Sequence, residues 1–209
     1  MKLHPLIFTL TLAVSCTTNA QTDDPWKQAQ VILARIKAPS FPDNDFVVTS
    51  YGAVNDGLTD CTEAFKKAIK ACHEAGGGRV VVPEGKFSTG AIHLLSNVNL
   101  HISKNAVVLF SRDPRKYLPQ VYTRFEAIEL MNYSPLIYAF EQENIAITGE
   151  GELNGQANDD NWWFWKGKWG HAGNQREARE VTQLAANNRL KAMAEKGVPV
   201  KDRVFGEGD

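Results

Sequence analysis

The side chains with the plainest chemical potential gather late in the chain. Trp162, Trp163, Trp165 and Trp169 are four of its five tryptophans and fall within eight positions. An aromatic face stacks on a sugar ring while the indole N–H makes a directional bond, so Trp162, Trp163 and Trp165 are candidate substrate-binding residues. The alternative is that the cluster pins the loop after Gly155 against the outside of the fold. Lys166, Lys168, Arg176 and Arg179 lie near the cluster and could meet the negative groups of an anionic ligand, although a solvated helix face explains the last two equally well. Asp159 and Asp160 form the kind of carboxylate pair that does acid–base work, but they follow Asn158 in a loop where turn-forming, solvated residues are expected. No acidic cluster of the calcium-binding type is visible, and no metal or cofactor is implied.

Composition narrows the partners. Lys plus Arg number 23 against 24 Asp plus Glu, a net charge of −1, so no global field holds the chain on nucleic acid or an anionic membrane. With 43% hydrophobic and 22% charged residues the chain is globular, and one domain is the default. Lys2, the apolar stretch Leu6 to Val14 and a small, polar tail ending at Ala20 and Gln21 have the layout of a secretory signal over residues 1–20. The apolar part is too short to span a bilayer, which takes about twenty residues. Ala13, Val14 and Ser15 before Cys16 loosely resemble a bacterial lipobox, which leaves a membrane-anchored lipoprotein as the alternative to a secreted or periplasmic protein. Cys61 and Cys72 sit eleven positions apart on one helical segment. Their backbones would be about 16 Å apart, beyond disulfide reach, so both read as small buried apolar residues.

The elements that must position this chemistry are legible upstream. Trp26 to Lys37 reads as a helix with Ala29, Ile32, Leu33 and Ile36 on one face, stopped by Pro39 and Pro42. Asp60 followed by Glu63 has the capping-box spacing. Cys61, Ala64, Phe65, Ala68, Ile69 and Cys72 then form one apolar stripe, and Gly76 supplies the stop. This helix, Asp60 to Ala75, must lie across an apolar surface. Very short β-branched runs follow: Val80 to Val82, Phe87 to Thr89, Ala91 to Leu94, Val98 to Ile102 and Ala106 to Phe110, then Leu136 to Phe140, Asn144 to Thr148 and Gly151 to Asn154. Gly, Asn, Ser or Pro punctuates nearly every junction. Short strands in series, with no long hairpins, fit a stacked solenoid; a β-sandwich is the rival but wants longer alternating strands. Gln175 to Lys196 leans helical, with Val181, Leu184 and Ala185 as a partial apolar face, ended by Gly197 and Pro199.

The run YGAVNDGLTDCTEAFKKAIKACHEAGGGRVVVPEG from Tyr51 resembles the opening of the right-handed parallel β-helix enzymes of the pectin-degrading superfamily. FSTGAIHLLSNVNLHISKNAVVLFS, NYSPLIYAF and NIAITGEGELNGQANDDNWWFWKG narrow the resemblance to glycoside hydrolase family 28, the polygalacturonases and their relatives, over about Phe46 to Gly170. The resemblance implies an all-β solenoid of the pectin lyase-like type with an N-terminal capping helix. Its layout would be a signal peptide at 1–20, a helix and linker at 21–45, and the N-terminal part of the glycosidase domain at 46–209 with a helical insertion at about 174–197.

The same resemblance implies inverting hydrolysis of α-linked galacturonic acid in galacturonan or rhamnogalacturonan, with an acidic polysaccharide or oligogalacturonide as substrate and a monomer at full length. The family's Asn-Thr-Asp, Asp-Asp, Gly-His-Gly and Arg-Ile-Lys motifs would lie beyond Asp209. No catalytic residue is therefore assigned here, and these 209 residues alone are expected to be inactive. Three strings mimic those motifs. Arg35, Ile36 and Lys37 precede the first strand, Asp159 and Asp160 sit in a loop, and Gly170, His171 and Ala172 miss the glycine. The alternatives are a lyase or epimerase on the same solenoid, or a non-catalytic carbohydrate-binding piece.

Overall fold

The computed structural model describes residues 25–158 and 183–206. Two compact units are present, Met1–Ala38 and Pro39–Asp209. Within the first, helix α1 spans Pro25–Arg35, close to the predicted span, and leaves Ile32 and Leu33 exposed.

In the second unit, short strands wind into a coil of successive rungs. The first strands are β1 (Asp45–Val47) and β2 (Asp56–Asp60), followed by helix α2 (Thr62–Glu74). One complete rung is β3 (Gly78–Val82), β4 (Gly85–Thr89) and β5 (Ile92–His93). The next is β6 (Val98–Ile102), β7 (Ala106–Phe110) and, after a hairpin of β8 (Val121–Phe125) and β9 (Ile128–Asn132), β10 (Ile137–Tyr138). A third begins with β11 (Ala146–Gly149) and β12 (Glu152–Asn154). All pairing between rungs is parallel and gives three faces, β1-β3-β6-β11, β2-β4-β7-β12 and β5-β10. This is a right-handed parallel β-helix, the hand that parallel crossovers take almost without exception. Parallel stacking excludes the sandwich.

Alternation sets which side chains turn inward. Val80 pairs with Leu100 and Leu100 with Ile147; Phe87 pairs with Val108 and Val108 with Leu153; Ile92 pairs with Ile137. Each column is one continuous apolar stack, and fully burying one of these side chains is worth about 1.5–3 kcal/mol. Val80 and Leu100 are fully buried whereas Ile147 is 47% exposed, so among the described residues the third rung lacks a cover. Corners repeat too. Asn97 and Asn144 both take left-handed backbone (φ 67° and 52°), which Asn tolerates. The Asn144 Nδ2 donates to Asn97 Oδ1 at 3.0 Å, linking the two corners.

Helix α2 closes the opposite end. Ala64, Phe65, Ala68, Ile69 and Cys72 are all buried in one core with Val80, Phe87 and Ile92, as the stripe predicts. Its stop is a Schellman turn: Gly76 N–H donates to His73 O and Gly77 N–H to Cys72 O, with Gly76 at φ 88°. The start differs from expectation. Asp60 is held extended by its pairing with Ser88, so the capping box does not form and the helix begins at Thr62. Asp60 Oδ1 instead accepts from the Thr62 N–H (2.9 Å) and the Thr62 hydroxyl (2.5 Å), while Glu63 lies 3.6 Å from Lys66.

Candidate functional site at the insertion corner

Every rung turns from its β4-type strand to its β5-type strand at the same corner, and there the chain spends its extra length. The first complete rung crosses it with only Gly90 and Ala91. The second inserts residues 111–136, and the third leaves the coil after Asn154 and returns as helix α3 (Leu184–Glu195). In solenoids, insertions of this kind collect on one face, often the binding face.

The two insertions pack together. In the hairpin, Val121 pairs with Asn132, Thr123 with Leu130 and Phe125 with Ile128, which places these six on one face of the ribbon. That face meets α3, burying Leu130, Leu190 and Phe205 with Ile128, Ala186 and Met193 around them. Ala186, Leu190 and Met193 recur at helical spacing. The predicted apolar face of Leu184 and Ala185 is instead exposed, because it is the hairpin that selects which side of α3 is covered. Helix α3 ends in a second Schellman turn at Gly197, with Val198 N–H donating to Met193 O. The returning chain then joins the ribbon: Met131 N–H donates to Arg203 O and Phe205 N–H to Met131 O.

Between ribbon and helix lies a pocket open to solvent. Phe125, Leu130, Leu190 and Phe205 supply its apolar surface, and Asn132, Tyr133, Gln183 and Asn187 its polar groups. The lining contains no ionisable carboxylate or ammonium. The Arg189 guanidinium carbon stands 4.3 Å from the Phe205 ring centroid and brings positive charge to this edge. Asn187 Oδ1 is shielded from solvent and has no hydrogen-bond partner.

The opposite face of the ribbon is structural. Tyr122 OH and Arg124 Nη2 both donate to Glu129 Oε1, and Tyr138 OH donates to the Tyr122 carbonyl at 2.8 Å. Nearby, His93 Nε2 lies 2.9 Å from Ser134 Oγ. That hydroxyl donates to the Pro135 carbonyl, so the ring nitrogen is the donor to it and Ser134 is not activated as a nucleophile.

Trp162, Trp163, Trp165 and Trp169, Asp159 and Asp160, Lys166, Lys168, His171, Arg176 and Arg179 lie outside the described residues, as does Cys16. Arg35 ends α1 and Lys37 follows it, in the first unit. Cys61 and Cys72 are free and buried, and burial pushes the Cys72 thiol up to about 11. Among the described residues no group of three or more His, Cys, Asp or Glu could hold a metal ion. No described helix is long and apolar enough to cross a membrane. Sequence reasoning missed the pocket; the alternating apolar and β-branched residues of 121–131 were the available signal.

A family model described as rhamnogalacturonase A/epimerase, pectate lyase-like, matches residues 46–101. A solved hyperthermoactive exopolygalacturonase from Thermotoga maritima is 48% identical, with a TM-score of 0.77, over 88% of this chain and 40% of that one. The chain is homologous to the polygalacturonases. An exo-poly-alpha-D-galacturonosidase of Dickeya chrysanthemi is 34% identical over 52% of this chain and 19% of its own length. A mannuronan C5-epimerase of Azotobacter vinelandii is 44% identical, but over 26% of this chain and 3% of its own. The chain thus spans two-fifths or less of the length of each of these polygalacturonase-type homologues. The Thermotoga match covers far more of the chain than α2 and the rungs beside it, and so takes in most of the insertion corner as well as the coil.

Proposed function

We propose that the protein is a polygalacturonase-type glycoside hydrolase, exported from the cell, that cleaves α-linked galacturonic acid in galacturonan or rhamnogalacturonan with inversion. The observation that carries this reading is the 48% identity to an exopolygalacturonase over 88% of the chain. Inverting hydrolysis needs one carboxylic acid to protonate the leaving oxygen and one carboxylate to activate water, roughly 6.5–9.5 Å apart. The described carboxylates beside the insertion corner serve structure instead: Asp60 pairs with Lys116, Asp113 with Arg115 and Glu129 with Arg124. In this reading the acid and base belong to rungs that follow the third. The present residues contribute the cap, the coil and the walls of the corner, and Trp162, Trp163 and Trp165 contact sugar rings.

The test is product analysis with polygalacturonate. The 209 residues alone should release no reducing ends, and the protein extended to the length of its homologues should release them with β-configured galacturonate formed first. A lyase would yield unsaturated, ultraviolet-absorbing ends and an epimerase would change ring configuration without cleavage. Either product would overturn the hydrolase reading.

A further inference from the structure

We propose that residues 40–45 are a clamp running along the coil, with Asn144 as its latch, so that the segment before β1 keeps the third rung stacked on those beneath it. The clamp is a device of the fold and is independent of what the protein cleaves.

β1, β3, β6 and β11 are successive neighbours in one sheet, so three steps of about 4.8 Å, or about 14 Å in all, separate the first from the last. The chain before β1 crosses this stack. Asn44 O accepts the Arg79 N–H at 2.8 Å, and Asp45 holds the Arg79 guanidinium through both carboxylate oxygens at 2.7 and 2.8 Å. Pro42 lies over Gly77, where an added Cβ would stand 3.4 Å from its ring, and a side chain at Gly78 would collide with the Asn44 carbonyl. Ser40 reaches Asn144, two positions before β11: its N–H donates to Asn144 Oδ1 at 3.1 Å and its carbonyl accepts from Asn144 Nδ2 at 2.8 Å. The five steps from Ser40 to Asp45 reach at most about 17 Å, so the segment is close to full extension across the rungs.

The latch acts where the coil is least supported. Among the described strands β11 pairs with β6 alone, and its Ile147 is 47% exposed; elements with few buried apolar contacts open locally at low cost. Asn144 spends its whole amide on holding this level. One Nδ2 hydrogen goes to Asn97 Oδ1 on the rung below and the other to the Ser40 carbonyl, while Oδ1 takes the Ser40 N–H. With the lower end of the segment fixed on Arg79, the third rung cannot lift away without breaking the bonds to Ser40 or pulling the extended segment off its anchor.

The experiment is native-state hydrogen exchange on the 209-residue chain. Ser40→Pro removes the N–H that donates to Asn144 and alters no rung. It should speed exchange at the Phe41, Asp43 and Asn44 amides and also across Ala146–Gly149 by about five- to tenfold, the scale of one lost hydrogen bond. Asn144→Gly keeps the left-handed corner, removes the latch and should do at least as much. Asn97→Gly takes away only the bond between corners and should leave the amides of residues 41–44 protected. If Ser40→Pro loosens the segment while β11 keeps its protection, or changes neither, the segment is a tail lying on the coil and the clamp is overturned. Opening of β11 in Asn144→Gly but not in Ser40→Pro would place the hold in the corner alone and overturn it equally. Should Asn144→Gly fail to fold, Ser40→Pro decides.

Discussion

Lys116 Nζ lies 2.6 Å from Asp60 Oδ2, an ion pair that ties the base of the first long insertion to the residue whose carboxylate bonds Thr62 at the start of helix α2. The same carboxylate accepts the Thr62 N–H and hydroxyl. Burial by itself raises the Asp60 pKa, but the Lys116 ammonium and the Thr62 bonds outweigh it and hold the group at about 2.

A depressed carboxyl pKa stabilises the fold above its ordinary value and loses that contribution as pH falls toward the folded value. The window for Asp60 therefore runs from 3.8 down to about 2. Melting midpoints of the parent and of Asp60→Asn should differ most above this window and converge below it. A constant offset across the window would show that the ionised carboxylate does not stabilise the fold.

Phe65 is 1% exposed and sits in the core beneath α2, while Lys67 is on the solvent side. Phe65→Ala should cost about 3–5 kcal/mol through the cavity it leaves, and Lys67→Ala under about 0.5 kcal/mol. Chemical denaturation checks both; equal losses would show that α2 does not seal the end of the coil.

The hairpin turns on Glu126 and Ala127, both in left-handed backbone with φ of 45° and 71°. That is the geometry of a two-residue turn that favours Asn-Gly, and each L-residue held there costs roughly 1–2 kcal/mol. The double change Glu126→Asn with Ala127→Gly should raise stability by about 1 kcal/mol. A neutral or destabilising result in thermal denaturation would contradict the turn.

Asp159 and Asp160 imitate a catalytic pair but are expected to be loop residues. In the extended protein, Asp159→Ala and Asp160→Ala should each keep turnover of polygalacturonate within about tenfold of the parent, against the 10²–10⁴-fold carried by an essential acid or base. A loss of that larger size in initial-rate assays would place one of them in the chemistry.

Local pattern alone was enough to specify the coil and its cap. The stripe from Cys61 to Cys72 has the helical period, and the valine-rich runs of 78–110 are cut by Gly, Asn and Pro, so propensity, burial and turn residues agree without distant information. Val98–Ile102 and Ala106–Phe110 are strands over the spans the residues suggest. Asp56–Asp60 is different. Its composition, Asp-Gly-Leu-Thr-Asp, favours a turn, and it is extended because β4 offers it a partner, which in turn moves the helix start to Thr62.

The insertion corner was decided by tertiary structure. The ribbon turns without the Asn-Gly that announces a hairpin, α3 has a weak stripe whose buried side is chosen by Leu130, and Phe205 gains its place through backbone bonds to Met131, 74 positions away. Asn132 and Asn187 are ordinary polar residues by sequence; they face one pocket only because two insertions leave successive rungs at the same corner and fold onto each other. Local propensity acts within a few neighbours, whereas a site built from two insertions depends on contacts whose partners are far apart in the chain, and only the folded coil brings them together.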